Sequence, residues 1–436
     1  MYRAYSSLLL YSDLGEDSIL QALAEIIRDL NEGVEGKERL RNRTFVQVKR
    51  LLDLATSFGF DENLWANYLT FVLMTNENSF SLSCERIGAR EGSVNHFALQ
   101  DFSIFHTLFH YDFSRLEWEL GMDCFEVLKH YQAIPKRERH YYKAVSDKVQ
   151  TLSRSLLAAK DEHQIFDIMT RHYQEVGVGT FGLHRAFRIR ETEGGLHFLP
   201  INNTDRVLLA DLVGYELQKK QLRDNTEAFL EGRAANNVLL YGDSGTGKSS
   251  SVKALINEYY DRGLRMIELY KHQFGALSQV IAETKNRNYR FIFFIDDLSF
   301  EENEVEYKYL KALIEGGVET RPDNILIYAT SNRRHLIRET WRDRNDTEFT
   351  GEIHRSDTVE EKLSLSARFG VQINYSIPNR EQFRGMVLQL AQKHGITLPE
   401  ETLLAEANRW ELRHGGISGR TAQQFINALA GKQRIP

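Results

Sequence analysis

From residue 14 to about 177, apolar positions recur three and four apart, the repeat of helices that bury one face. Leu20, Leu23, Ile26, Ile27 and Leu30 mark one such face, and Val46, Val48, Leu51, Leu52 and Leu54 a less regular second. Further helices are expected over about 62–75, 115–132, 139–159 and 163–176. Then the pattern changes. Residues 180–190 and 196–201 read as two strands around Glu191-Thr192-Glu193-Gly194-Gly195, a hairpin signal. Asp211-Leu212-Val213-Gly214 precedes a helix running to about Gly232. Five short strand-like runs follow, at 238–241, 264–269, 290–295, 324–329 and 371–375, with helical stretches between them. A repeated strand–helix unit predicts a parallel sheet covered on both faces. Right-handed crossovers put the loops after those strands along one edge, where such sheets bind ligands. From Arg380 onward the chain is helical again and small enough to be a lid.

The expected organisation is therefore α/β with four parts. These are a mostly helical N-terminal domain (1–178), a β-hairpin connector (179–204), a core with a five-stranded parallel sheet (205–379) and a helical lid (380–436).

Composition narrows the class. At 436 residues the chain is too long for one ordinary core, and 42% hydrophobic with 27% charged residues is the balance of a soluble globular protein. Cys84 and Cys124 offer neither a disulfide framework nor metal-ligand spacing, so a reduced, cytoplasmic compartment is expected. Leu8-Leu9-Leu10-Tyr11 is too short for a signal-peptide core, and no apolar run approaches bilayer-spanning length. A formal charge of −6 gives no global attraction to nucleic acid or anionic lipid. The clusters Lys37–Arg43 and Lys136–His140 read as solvated helix faces ahead of phosphate-contact patches. The N-terminal aromatics, Trp65, Tyr68, Phe71, Phe102, Phe105, Phe109, Tyr111 and Phe113, read as core.

The chemistry begins at Gly242-Asp243-Ser244-Gly245-Thr246-Gly247-Lys248-Ser249, between the run Val238–Tyr241 and a helix carrying Val252, Leu255 and Ile256. G-x-x-x-x-G-K-[ST] in that setting is the phosphate-binding loop, or Walker A motif. Its glycines let successive N–H groups turn toward phosphate oxygens, and the helix N-terminus adds partial positive charge. Lys248 is expected on the β- and γ-phosphates of ATP, and the Ser249 hydroxyl in a Mg2+ shell. About fifty positions on, Phe291–Ile295 ends in Asp296-Asp297, the Walker B arrangement. Asp296 is expected to hold magnesium, mainly through water, and Asp297 to orient or deprotonate the attacking water. Asn332, closing Ala329-Thr330-Ser331-Asn332, is either a turn residue or a polar group on the lytic water or γ-phosphate. Arg368, in Ser364–Gly370, is either a surface ion-pair partner or a cation offered to a neighbouring subunit. Arg420, at the start of a lid helix, either caps a turn or reaches back to the phosphates.

With these motifs in place, Asp211 to Ala430 resembles an AAA+ ATPase, a P-loop NTPase. More closely, it is similar to a bacterial family of AAA+-type ATP-binding proteins classed as a domain of unknown function. The similarity runs through Asp211–Gly214, Ala235–Ser250, Asp296–Glu301, Tyr307–Gly317, Tyr328–Leu336 and Leu363–Gly370. It implies an adenine pocket lined by Leu212, Val213 and Gly214, and a phosphate loop extending through Ser250. It also implies Asn332 as sensor 1, Arg368 as a finger acting in trans and Arg420 as the sensor 2 arginine. One departure stands out: most AAA+ ATPases end Walker B in Asp-Glu, whereas here Asp297 follows Asp296, leaving Glu301 or Glu302 as substitutes. Tyr270-Lys271-His272-Gln273-Phe274-Gly275 sits where some AAA+ rings carry a polypeptide-gripping loop. The polar segment Arg338–Glu361, with Arg338, Arg342 and Arg344, is long enough to be functional. The expected activity is ATP–magnesium hydrolysis by a nucleotide-dependent homo-oligomer, coupled to remodelling or loading of a protein or nucleic-acid client. A nucleotide-gated binding module with little hydrolysis and a DNA-associated motor are the alternatives, and no membrane role is expected.

Overall fold

A computed structural model of the chain describes residues 1–15, 18–88, 90–134, 143–202, 207–301, 304–315, 322–333, 336 and 365–432. The cluster Lys136–His140, the segment Arg338–Glu361 and Glu302 lie outside the described residues. The chain divides into two compact units, Met1–His184 and Arg185–Pro436.

The first unit is helical. Ile19–Glu32 starts where the Ser18 hydroxyl accepts the Gln21 N–H, and buries Leu20, Leu23, Ile26 and Ile27 as their spacing predicts. Trp65, Tyr68, Phe102, Phe105, Phe109 and Phe113 are buried in one core. The single helix expected over 115–132 is instead two, Ser114–Leu120 and Cys124–Lys129. Gly121 separates them at φ 62°, a left-handed residue that ends the first helix. Asp101, fully buried, accepts backbone N–H groups from Leu9, Leu10 and Tyr11 at 2.8–3.2 Å and so fastens the N-terminal loop.

Among the described residues, the second unit is built on a seven-stranded sheet. Its strands are β1 (Ala186–Thr192), β2 (Gly195–Pro200), β3 (Val238–Gly242), β4 (Leu264–Glu268), β5 (Arg290–Ile295), β6 (Ile325–Ser331) and β7 (Val371–Tyr375). Their spatial order is β2-β1-β4-β5-β6-β3-β7. The five strands expected from the strand-like runs are mutually parallel, and Phe291–Ile295 and Ile325–Ser331 are buried along their whole length, as a sheet covered on both faces requires. The hairpin expected as a connector is hydrogen-bonded into this sheet, because β1 runs parallel to β4 and β2 returns antiparallel outside it. The chain ends in three lid helices, Arg380–Lys393, Glu400–Arg413 and Gly419–Lys432, packed around Phe383, Val387, Leu390, Ala407, Phe425 and Ile426. This order places the C-terminal ends of β5, β6 and β3 side by side, and three of the candidate motifs leave the sheet there.

Candidate functional site

The loop after β3 turns on glycines that nothing else replaces. Gly242 has φ 127°, and a Cβ there would lie 2.3 Å from the Tyr375 carbonyl oxygen on β7; Gly247 has φ 93°. Between them Thr246 Oγ1 donates to the Asp243 carbonyl at 2.8 Å, and the Asp243 carboxylate accepts the Ile377 N–H at 2.9 Å. The helix Lys248–Tyr259 starts at the loop's end, so its N-terminus faces the hollow of the loop.

Lys248 is buried, and its Nζ donates to the carbonyls of Gly242 (2.8 Å) and Asp243 (2.6 Å) and to Asn332 Oδ1 (3.1 Å). Burial pulls its pKa below the usual lysine range; the charges of Asp243, Asp297 and Asp296 oppose that, and Arg420 adds to it. Asn332 in turn donates from Nδ2 to Asp297 Oδ1 at 2.8 Å. The Asp297 N–H donates to Thr330 Oγ1 at 2.9 Å, and that hydroxyl donates to Asp296 Oδ1 at 2.6 Å. Ser249 Oγ donates to the same Asp296 oxygen at 2.5 Å. The chain of bonds thus returns to the helix on which it began. Asp297 holds a left-handed backbone, φ 52°, rare for a residue with a side chain.

Lys248, Ser249, Asp296, Asp297, Thr330 and Asn332 line one wall of a cleft of about 950 Å³, whereas Gly242 and Asp243 are not in its lining. Leu212, Val213 and Gly214 line it away from the loop, facing Met386 and Leu390 of the lid. The approach is close: a Cβ on Gly214 would lie 2.7 Å from Met386 Cε. Asp211 pairs with Lys393 across the same end, and this holds the Asp211 carboxyl below its ordinary range. The buried Lys219 donates to the Leu212 carbonyl (2.6 Å) and Glu216 (2.7 Å), fixing the segment before Val213. At the loop end, the Arg420 N–H donates to the Gly245 carbonyl at 3.0 Å, and the exposed Arg420 side chain lies on the cleft. Ser244, Thr246 and Ser250 line it as well.

Some sequence candidates lie elsewhere. Arg368 is half-buried on the turn before β7, and Glu301 donates its N–H to Glu304 at 3.0 Å; neither lines the cleft. In the loop after β4, Phe274 is core, Lys271 pairs with Glu304 at 2.6 Å, and the exposed Tyr270 stacks on His272 at 5.9 Å. Thr330, Lys219, Met386, Leu390 and Lys393 belong to the site without having been singled out in the sequence.

The donor set suits a triphosphate with a hard cation. A helix N-terminus, a lysine and an arginine meet on one side of the cleft, with a hydroxyl and a carboxylate beside them. Among the described residues no three His, Cys, Asp or Glu side chains surround a metal position. Magnesium needs none, since it keeps water and takes phosphate oxygens together with one or two protein groups.

The sequence pattern of a family described as "Protein of unknown function (DUF815)" matches residues 182–433. Among solved structures, an arginine-to-alanine variant of Thermotoga maritima RuvB is 15% identical at a TM-score of 0.35, covering 51% of this chain and 64% of that one. A proline-to-glycine variant of the same RuvB is 16% identical at 0.37, covering 52% and 69%. The AAA domain of FIGL-1 in complex with ADP is 19% identical at 0.35, covering 52% and 74%. This chain therefore spans just under two thirds of the first of these.

Proposed function

The chain belongs to the DUF815 family, and from that premise we propose that it is an AAA+-type P-loop ATPase that binds ATP with magnesium and hydrolyses it when subunits assemble. The observation that carries this reading is the run of hydrogen bonds from Lys248 through Asn332, Asp297, Thr330 and Asp296 to Ser249. In it the base of the cleft is pre-organised before any ligand arrives. Leu212, Val213 and Gly214 take the adenine, and the loop amides from Gly242 to Ser250 take the phosphates. Lys248 and Arg420 supply positive charge where negative charge builds up on the γ-phosphoryl group. Ser249 and Asp296 hold Mg2+, which neutralises phosphate charge. Asp297, oriented by Asn332, accepts the proton of the attacking water. Arg368, outside the cleft of its own chain, completes the site of a neighbouring subunit in a homo-oligomer.

The proposed division gives 205–379 the nucleotide and 380–436 the lid, with the helical domain 1–178 joined through 179–204, in a cytoplasmic protein that acts on a protein or nucleic-acid client. Among the described residues no helix is long and apolar enough to cross a membrane. A second reading, a nucleotide-gated binding module with little turnover, is favoured by one observation, the aspartate at position 297 where a longer carboxylate would reach further.

Two variants test the first reading. Lys248→Ala should weaken ATP binding by about 10- to 100-fold, the loss of a charge-assisted contact. Arg368→Ala should keep binding and lose turnover by on the order of 10³-fold. Wild-type turnover in Arg368→Ala, in assembled protein, would end the shared-site proposal.

A further inference from the structure

Resting on the nucleotide-binding reading above, we propose that Thr330 is the positioning residue of the acid pair, setting the magnesium dependence of nucleotide binding through one hydroxyl. Thr330 is the last residue but one of β6 and is 1% exposed. A hydroxyl has one proton to give and two lone pairs to receive with. Here the proton goes to Asp296 Oδ1 at 2.6 Å, and a lone pair takes the Asp297 N–H at 2.9 Å. Both acids are thus held by a side chain from the neighbouring strand.

Each bond has a competitor that it restrains. The other oxygen of Asp296 lies 3.7 Å from Lys253 Nζ, so the carboxylate has a cation to turn toward. Thr330 and Ser249 together keep Oδ1 on the Ser249 side, where the pair presents its oxygens to the cleft. Asp297 is held in a left-handed conformation that L-residues disfavour, and its N–H is bonded to Thr330 Oγ1. The same strand pins the next residue: the Leu298 N–H donates to the Thr330 carbonyl at 2.7 Å, and Ser331 Oγ donates to the Leu298 carbonyl at 2.8 Å. Without the hydroxyl, Asp297 loses the acceptor of its N–H and keeps only Asn332, and Asp296 keeps only Ser249 against the pull of Lys253.

Thr330→Val keeps the branched shape that suits a buried strand and removes both bonds. ATP affinity is to be measured by calorimetry with Mg2+ and with EDTA, on the full chain, for wild type, Thr330→Val, Thr330→Ala and Thr330→Ser. The expected result for the two variants lacking the hydroxyl is an affinity in EDTA within about twofold of wild type, with the gain on adding Mg2+ reduced at least about fivefold. Thr330→Ser should restore that gain to within about twofold. In turnover assays the same two variants should lose kcat with little change in KM. The proposal is overturned if Thr330→Val, or Thr330→Ala where the valine variant does not fold, keeps the full Mg2+ gain. It is overturned equally if Thr330→Ser is as impaired as the valine variant, since the methyl group and not the hydroxyl would then matter. A wild-type protein with no ATP affinity under either condition is a separate result, because it removes the nucleotide reading itself.

Discussion

The two units use the same residue type for opposite ends. In the helical unit, Asp101 is fully buried and, among the described residues, its bonds go to backbone N–H groups of one loop. In the sheet unit, the Asp296 side chain is 33% exposed and is held by hydroxyls from two different elements at the edge of a cleft. A carboxylate satisfied by the backbone is a fastener: it lowers the energy of one conformation and has nothing left to offer. One held by side chains with an open flank keeps an oxygen available for a ligand. Partner and exposure, more than residue type, separate structural acids from those poised for chemistry.

The sharpest way to break this comparison is to remove each acid in turn. Asp101→Ala leaves three backbone N–H groups without their acceptor, each costing about 1–3 kcal/mol if it stays buried. Denaturant melts should show a loss on the order of 3 kcal/mol or more. Asp296→Ala should cost about 0.5–1.5 kcal/mol, the loss of its bond from the buried Thr330 hydroxyl, while cutting the Mg2+ gain in ATP affinity by about 10- to 100-fold. If Asp296→Ala melts like Asp101→Ala, the distinction between fastener and poised acid is lost.

A smaller effect sharpens the electrostatics. Burial lowers the pKa of Lys248, whereas a bound triphosphate favours its charged form. Affinity should therefore be constant while the free protein carries that proton, and fall as pH rises through the lowered pKa. ATP titrations at increasing pH should show the decline beginning below about 10.4, the value for an exposed lysine. A flat profile up to that pH would contradict the buried setting of Lys248.

The parts of the site that were legible in the sequence are those written contiguously. Strand, glycine turn, lysine and helix fall within Val238–Ser250, and the run Phe291–Ile295 carries its acids at its own end. Strands β3, β5 and β6 were readable because a strand buried on both faces is an unbroken apolar run, whereas β7 shows alternation, with Gln372 and Asn374 exposed. The cleft's far wall was not, since Met386, Leu390 and Lys393 meet Asp211 and Gly214 only through folding across some 170 positions. Thr330 carried no signal, because a threonine near a strand end looks like any branched residue suited to a sheet. The pairing of β1 with β4 was equally hidden, as local alternation fixes a strand and not its neighbour. Gly121 is different: a glycine inside a helical pattern is a stop signal, and reading it would have split the helix at 115–132.

Calorimetry of the purified wild-type chain with ATP, with and without Mg2+, tests the central claim most directly. Binding is expected to be saturable at one site per chain, tightened by magnesium and weakened by Lys248→Ala. Folded protein that takes up no ATP with magnesium present would contradict it.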